Sequence, residues 1–297
     1  MRSEPFFNNR GQYSNLVQTN VLLHREASAL ATELLVGHLA RSADERSGPI
    51  RWLDLACGGE PVTPARIIGA LPKEPFDYTG IDINSDQIAK ARQFAFPSNV
   101  TSVRLIEGNG WDLHHLPAGH AWDVAFVGMN LHHGTREEVG YFAHQLGGGR
   151  LRAGGLFLNH ECVRPDNEPY VRRPDHDPVR PAEPLCVIQP SVVEAAGFTR
   201  ARDVASFGQA LPPANPEEAW RIDLIEQLVA GFVDRGGPEA AADEIRRHQL
   251  KRDYPVSTAE IRVLLEDEGF NVVVHTFPGA DSPIRRYVAL VEARRER

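Results

Sequence analysis

Apolar positions along the first fifty residues recur at three- and four-residue steps. Leu23, Ala27, Leu30, Leu34 and His38 fall on one helical face, which predicts a single amphipathic helix over about 15–41. Residues 42–49 are polar and read as a linker. From residue 50 the pattern changes to short, continuous apolar runs. The run from Ile50 to Ala56 stops at Cys57-Gly58-Gly59, which predicts a buried strand entering a tight turn. Further strands are expected at 78–83, 103–107, 122–129 and 154–159, with helices at 63–71 and 84–95 between them. Asn84 with Gln87, and Thr135 with Glu138, have the spacing of capping boxes. Five strands alternating with helices over 50–160 specify a parallel α/β sheet with right-handed crossovers.

The alternation breaks after Glu161. Seven prolines between 164 and 190 exclude a long helix there. Helices are expected at 216–235 and 238–251, and a further one capped by Ser257 and Glu260 ends at Gly269. Residues 270–277 and 286–292 read as two closing strands at the sheet edge. The expected organisation is therefore an N-terminal helical lid (1–49), an α/β core (50–161), a mainly helical acceptor-side cap or insertion (162–256), and a closing helix with a strand pair (257–297). The fold class is a Rossmann-like parallel sheet with an antiparallel closing strand, plus an N-terminal helix.

Composition narrows the function. The 297 residues are 42% hydrophobic and 24% charged, as in ordinary globular proteins. A net charge of −8 argues against a sequence-independent nucleic-acid binder. Cys57, Cys162 and Cys186 are too few and too scattered for a disulfide framework, which suggests a reducing, cytoplasmic setting. No apolar run approaches the roughly 20 residues of a membrane span. The opening residues have no apolar core of a signal peptide. No nucleic-acid or membrane partner is expected, and homo-oligomerisation is left open.

Three features carry chemistry. The turn Leu53-Asp54-Leu55-Ala56-Cys57-Gly58-Gly59 ends the first strand, and its small residues let a ligand approach the backbone. Asp82 ends the second strand, where a carboxylate can accept two hydrogen bonds from a ribose diol. Asn109-Gly110-Trp111-Asp112 follows the third strand, with an amide suited to an exocyclic amine and an indole that could offer an apolar face. Together they point to an adenine-ribose ligand. A dinucleotide would require G-x-G-x-x-G so that pyrophosphate sits on backbone N–H groups. Here the turn reads Ala56-Cys57-Gly58-Gly59-Glu60-Pro61, with an acid where phosphates would lie. That disfavours a nicotinamide oxidoreductase and suits a cationic ligand.

With these motifs the chain resembles the class I S-adenosylmethionine-dependent methyltransferases of the small-molecule branch. The resemblance rests on LDLACGGE (53–60), GIDINSDQI (80–88), EGNGWDL (107–113), WDVAFVGMNLHH (122–133) and LRAGGLFLNHE (151–161). Glu60 stands where the family often has a third glycine, and Asn109 where it often has aspartate. The resemblance implies S-adenosyl-L-methionine as cofactor. Asp54, Ala56 and Gly58 would line its methionine side. Asp82 would hold the ribose, and Ile83 would pack on the adenine. Asn109, Gly110 and Trp111 would frame that base, with the backbone near Asn130 facing the amino-acid end. The implied activity is methyl transfer to a small, natural-product-like acceptor by in-line displacement. Two rivals share the fold: an enzyme using the bound cofactor without transferring its methyl group, and a non-catalytic partner subunit.

A base is needed only if the acceptor must lose a proton. His132 and His133 follow the fourth strand and Glu161 ends the fifth, so these are the candidate catalytic groups, His133 foremost. His160, Tyr13 and Arg10 are the candidates for acceptor contact, the last two closing over the cleft from the N-terminal segment. No metal site is expected: Asp175-His176-Asp177 reads as a solvated loop cluster, and Cys57 as a packing residue.

Overall fold

The computed structural model describes residues 12–42, 47–117, 121–134, 136–166, 219–239, 241–242, 245 and 255–296. Seven strands form one sheet: β1 (Ile50–Leu55), β2 (Phe76–Asp82), β3 (Val100–Glu107), β4 (Trp122–Gly128), β5 (Leu151–Cys162), β6 (Phe270–Thr276) and β7 (Val288–Arg295). Their order across the sheet is β3-β2-β1-β4-β5-β7-β6, and β7 alone runs antiparallel to its neighbours. The strand order reverses between β1 and β4, which opens a crevice at their carboxyl ends.

Side-chain alternation along each strand builds two cores. Leu53 and Leu55 face the side covered by α5 (Arg136–Gln145) and α7 (Thr258–Glu266), with Val127, Phe157, Val291, Phe142 and Leu264. Ile50 and Trp52 face the side covered by α2 (His24–Arg41) and α3 (Val62–Gly69), with Leu35, Ile67, Phe126 and Leu158. A third cluster joins Val21, Leu22 and Leu23 to Leu224, Leu228 and Phe232 of α6 (Ala219–Asp234) and to Ile284 and Tyr287. No helix among the described residues is long and apolar enough to cross a membrane.

Several expected boundaries move. The single N-terminal helix is two: α1 (Gln12–Thr19) and α2, separated by Asn20 and Leu23 at φ 54° and 58°. Asparagine tolerates the left-handed region. Its side chain also anchors the second helix, Oδ1 accepting the Arg25 N–H at 2.8 Å and Nδ2 donating to Glu26 at 2.8 Å. Leu23 is wholly buried, and that burial holds its costlier left-handed backbone. Helix α4 (Ser85–Ala91) stops four residues before the expected end, and only Asn84 caps it. The Asn84 N–H is taken by Asp82, so Gln87 completes no box. Strand β5 is longer than expected at both ends, which draws His160 and Glu161 into the sheet. Thr135 and residues 167–190 of the proline-rich stretch, Asp175–Asp177 included, lie outside the described residues.

The capping box at α7 is present in both directions: the Ser257 hydroxyl accepts the Glu260 N–H at 3.2 Å, and Glu260 accepts the Ser257 N–H at 2.7 Å. Ser257→Ala is expected to cost about 1 kcal/mol, read as a lower urea midpoint at unchanged slope.

Candidate functional site

Strand β1 delivers its turn to the crevice in a conformation that few side chains adopt. Ala56 and Gly58 have φ of 57° and 62°. The turn is tied to β2 by the Cys57 N–H on the Ile81 carbonyl and the Gly58 N–H on Asp82 Oδ2, each at 2.9 Å. Gly80 makes that approach possible, because a Cβ there would lie 3.0 Å from Cys57 Sγ and 2.9 Å from the Tyr78 ring. Asp82 Oδ1 accepts the Asn84 N–H at 2.9 Å, so both carboxylate oxygens already organise backbone, each with acceptor capacity left over. Burial pushes its pKa up, against the opposite pull of those two N–H groups. Next to it, the side chain of Ile83 is 47% exposed.

Asp54 lies deeper. It is 2% exposed and accepts the Tyr78 hydroxyl. Burial raises its pKa to about 8; the Tyr78 hydrogen bond opposes the rise and the charge of Asp82 adds to it. At the end of β3, Asn109 Oδ1 accepts the Trp111 N–H at 3.0 Å, and a Cβ on Gly110 would stand 3.6 Å from the Ala56 nitrogen. The two loops thus run side by side, as expected. Trp111 does not offer its indole to the crevice. It is buried under Gly134, where a Cβ would meet the ring at 2.5 Å, and packs edge-on to Phe142 at 5.9 Å. An apolar core position outcompetes the open face that was expected of it.

Beyond β4 the chain kinks at Met129, a non-glycine residue at φ 51° whose N–H donates to the His160 carbonyl at 2.7 Å. The following turn is organised by Glu161. This fully buried carboxylate accepts the Leu131 N–H at 2.6 Å, the Asn130 N–H at 3.1 Å and the Asn159 side chain at 3.4 Å, and it binds His132 Nδ1. Burial would raise its pKa, but His132 and these hydrogen bonds outweigh that and hold it below the usual carboxylate value. Glu161 is thus a positioning group with its oxygens committed, not an open base. His132 is 5% exposed; His133 is half-buried, with its ring 4.1 Å from that of His132.

His160 does not reach the crevice. It is fully buried, its Nε2 donates to the Leu22 carbonyl at 2.9 Å, and it meets the ring of His24 edge-on at 5.0 Å. Burial lowers its pKa to about 4, so it is a neutral strut between the N-terminal segment and the sheet. Arg10 lies outside the described residues; Tyr13 lies in α1, and only its backbone is placed. Two groups escaped the sequence reading. Tyr78 is the partner of Asp54. Gln145 joins the loop after the third strand to α5, accepting the Leu113 N–H at 2.6 Å and donating to the Trp111 carbonyl at 2.8 Å.

A seven-stranded sheet in this order, with one reversed strand beside the edge, is the Rossmann-like fold of class I methyltransferases, as the motifs implied. Comparison with protein-family models and with curated proteins finds no match. Among solved structures, the chain is similar to an O-methyltransferase family protein from Burkholderia thailandensis. The TM-score is 0.51 at 14% identity, over 93% of this chain and 57% of that one, so the chain spans less than two thirds of that protein. It is similar at the same TM-score, 0.51, to the plantazolicin methyltransferase BpumL in complex with SAH, with 12% identity over 99% of this chain and 92% of that one.

Proposed function

We propose that the chain binds S-adenosyl-L-methionine in this crevice and transfers its methyl group to a small-molecule acceptor. The observation that carries the reading is the coincidence at one edge of a left-handed Ala56–Gly58 turn, the Asp82 carboxylate and the outward Ile83. These residues fit the group. Asp82 has acceptor capacity for a ribose diol, Ile83 offers an apolar platform for a base, and Ala56, Gly58 and Gly110 leave room for close approach. The Asp82 carboxylate suits a cation and would repel phosphates. When bound, the cofactor supplies a methyl carbon already activated by a positively charged sulfur.

The protein's own contribution is alignment, exclusion of water and, for an acceptor that must lose a proton, a base. His132 is better placed than His133 for that last role. Its Nδ1, bonded to the Glu161 carboxylate, orients the ring, as in a histidine base held by a carboxylate. His133 flanks it as part of the wall.

Incubation with S-adenosylmethionine and a panel of small hydroxylated and amine acceptors tests the reading through the appearance of S-adenosylhomocysteine (SAH). Formation of methylthioadenosine without a methylated product would instead indicate non-methylative use of the cofactor. With an acceptor in hand, His132→Ala should lower kcat by about 10²–10⁴ while SAH affinity stays within about twofold. Wild-type turnover in that variant would return His132 to scaffolding.

A further inference from the structure

Two buried imidazoles fasten the N-terminal segment to β5. His160 and His24 are both fully buried, and their rings meet edge-on at 5.0 Å. His160 holds both sides of this junction. Its carbonyl accepts the Met129 N–H at the kink after β4, and its Nε2 donates at 2.9 Å to the Leu22 carbonyl, between α1 and α2. His24, at the start of α2, sets its Nδ1 3.3 Å from the Thr63 hydroxyl of α3. Val21, Leu22 and Leu23 share one apolar cluster with Met129 and α6, so the segment and the kink pack together.

The hydrogen bonding of His160 suits the neutral ring alone. A carbonyl only accepts, so Nε2 carries the proton and Nδ1 keeps a lone pair. A second proton would have to go on Nδ1, a buried atom that meets no acceptor among the described residues. A buried imidazolium N–H without an acceptor is costly, and water reaches it only if the segment leaves. The groups around the pair do not remove that cost. The residues paired with His160 on β4 and β7 are Gly128 and Leu290, which carry no charge. Arg66 of α3 disfavours a charge on His24, while Glu161 of β5 and Glu26 of α2 favour one on His160. Glu161 is already committed to His132 and the Leu131 N–H, and burial of His160 outweighs both carboxylates.

We propose that His160 is a proton-operated latch: the segment from Val21 to Ala27 stays on the sheet while the imidazole is neutral and is released when Nδ1 takes up a proton. The latch does not depend on what the crevice binds. Amide hydrogen exchange of the full chain tests it, read as protection factors so that the intrinsic pH dependence of exchange is removed. The folded pKa of His160 is about 4, below the ordinary 6.5. Closure is therefore at full strength above pH 6.5 and weakens as pH falls towards 4. Over that range the opening constant should rise about tenfold per pH unit for each proton taken up. Protection of Val21–Ala27 is expected to fall accordingly, while β1 and β4 stay protected. The slope counts the protons taken up on opening. His160→Gln keeps an amide donor for the Leu22 carbonyl but cannot titrate, so its slope should be lower by about one proton. An equal slope in variant and wild type would overturn the proposal, as would loss of protection in β1 and β4 in parallel with the segment. The His160 ring of the wild type, followed by NMR, decides the matter even if the variant fails to fold. Titration in step with the loss of protection supports the latch, and titration near pH 6.5 with the segment still protected would overturn it.

Discussion

Glu161→Ala is expected to lose about 3–5 kcal/mol of stability, because several buried donors would lose a shared carboxylate at about 1–3 kcal/mol each. The carboxylate is fully buried, and its removal would strand the Leu131 and Asn130 N–H groups, the Asn159 amide and His132 Nδ1 together. The effect depends on pH in a defined direction. The folded pKa lies below the ordinary 4.5, so the carboxylate contributes above that value and its contribution is lost as pH falls through the folded pKa. Urea midpoints of wild type and variant should differ most near pH 7 and converge in acid. A gap that is small at pH 7, or that does not narrow in acid, would remove Glu161 as the organiser of the 130–133 turn.

Asp54→Asn is expected to act in the opposite sense and to stabilise the unliganded chain. Asp54 is held at a pKa of about 8 against an ordinary 3.8, because burial disfavours its charge. A folded pKa raised above the unfolded one means that folding takes up a proton. Wild-type stability should therefore fall as pH rises between about 4 and 8, by about 1.4 kcal/mol per pH unit, and level off above. Asparagine keeps an acceptor for the Tyr78 hydroxyl and carries no charge. By pH 8 the variant should lead by on the order of 5 kcal/mol, and the two should be close at pH 4. Parallel stability curves would show that Asp54 is solvated or paired in a way this structure does not have. The same carboxylate bears on binding: a cation arriving in the crevice favours its ionised form, so binding should release a proton.

The core was legible in the sequence because its signals are local. Continuous apolar runs ended by Gly58, Asp82 and Gly128 mark strands meeting their loops, and the Ser257–Glu260 spacing marks a helix start that the structure reproduces. The ordered motifs 53–60, 80–88 and 107–113 do come together at one edge. What the sequence hid was set by tertiary contact. His160 looks like a crevice residue until the length of β5 is known, and that length is fixed by pairing with β7 from Leu156 to Cys162. Trp111 reads equally well as a ligand face or as core, and α5 decides between them by bringing Phe142 against it. The break in the N-terminal helix had a local signal in Asn20, but the left-handed Leu23 is imposed by burial.

Calorimetric titration of the full chain with SAH, in wild type and in Asp82→Ala, bears most directly on what the crevice is for. One site per chain is predicted, with Asp82→Ala weakened by about 1.5–3 kcal/mol for each hydrogen bond to the ribose that is lost. Absence of SAH binding in the folded wild-type chain, or an unchanged dissociation constant in the variant, would contradict it.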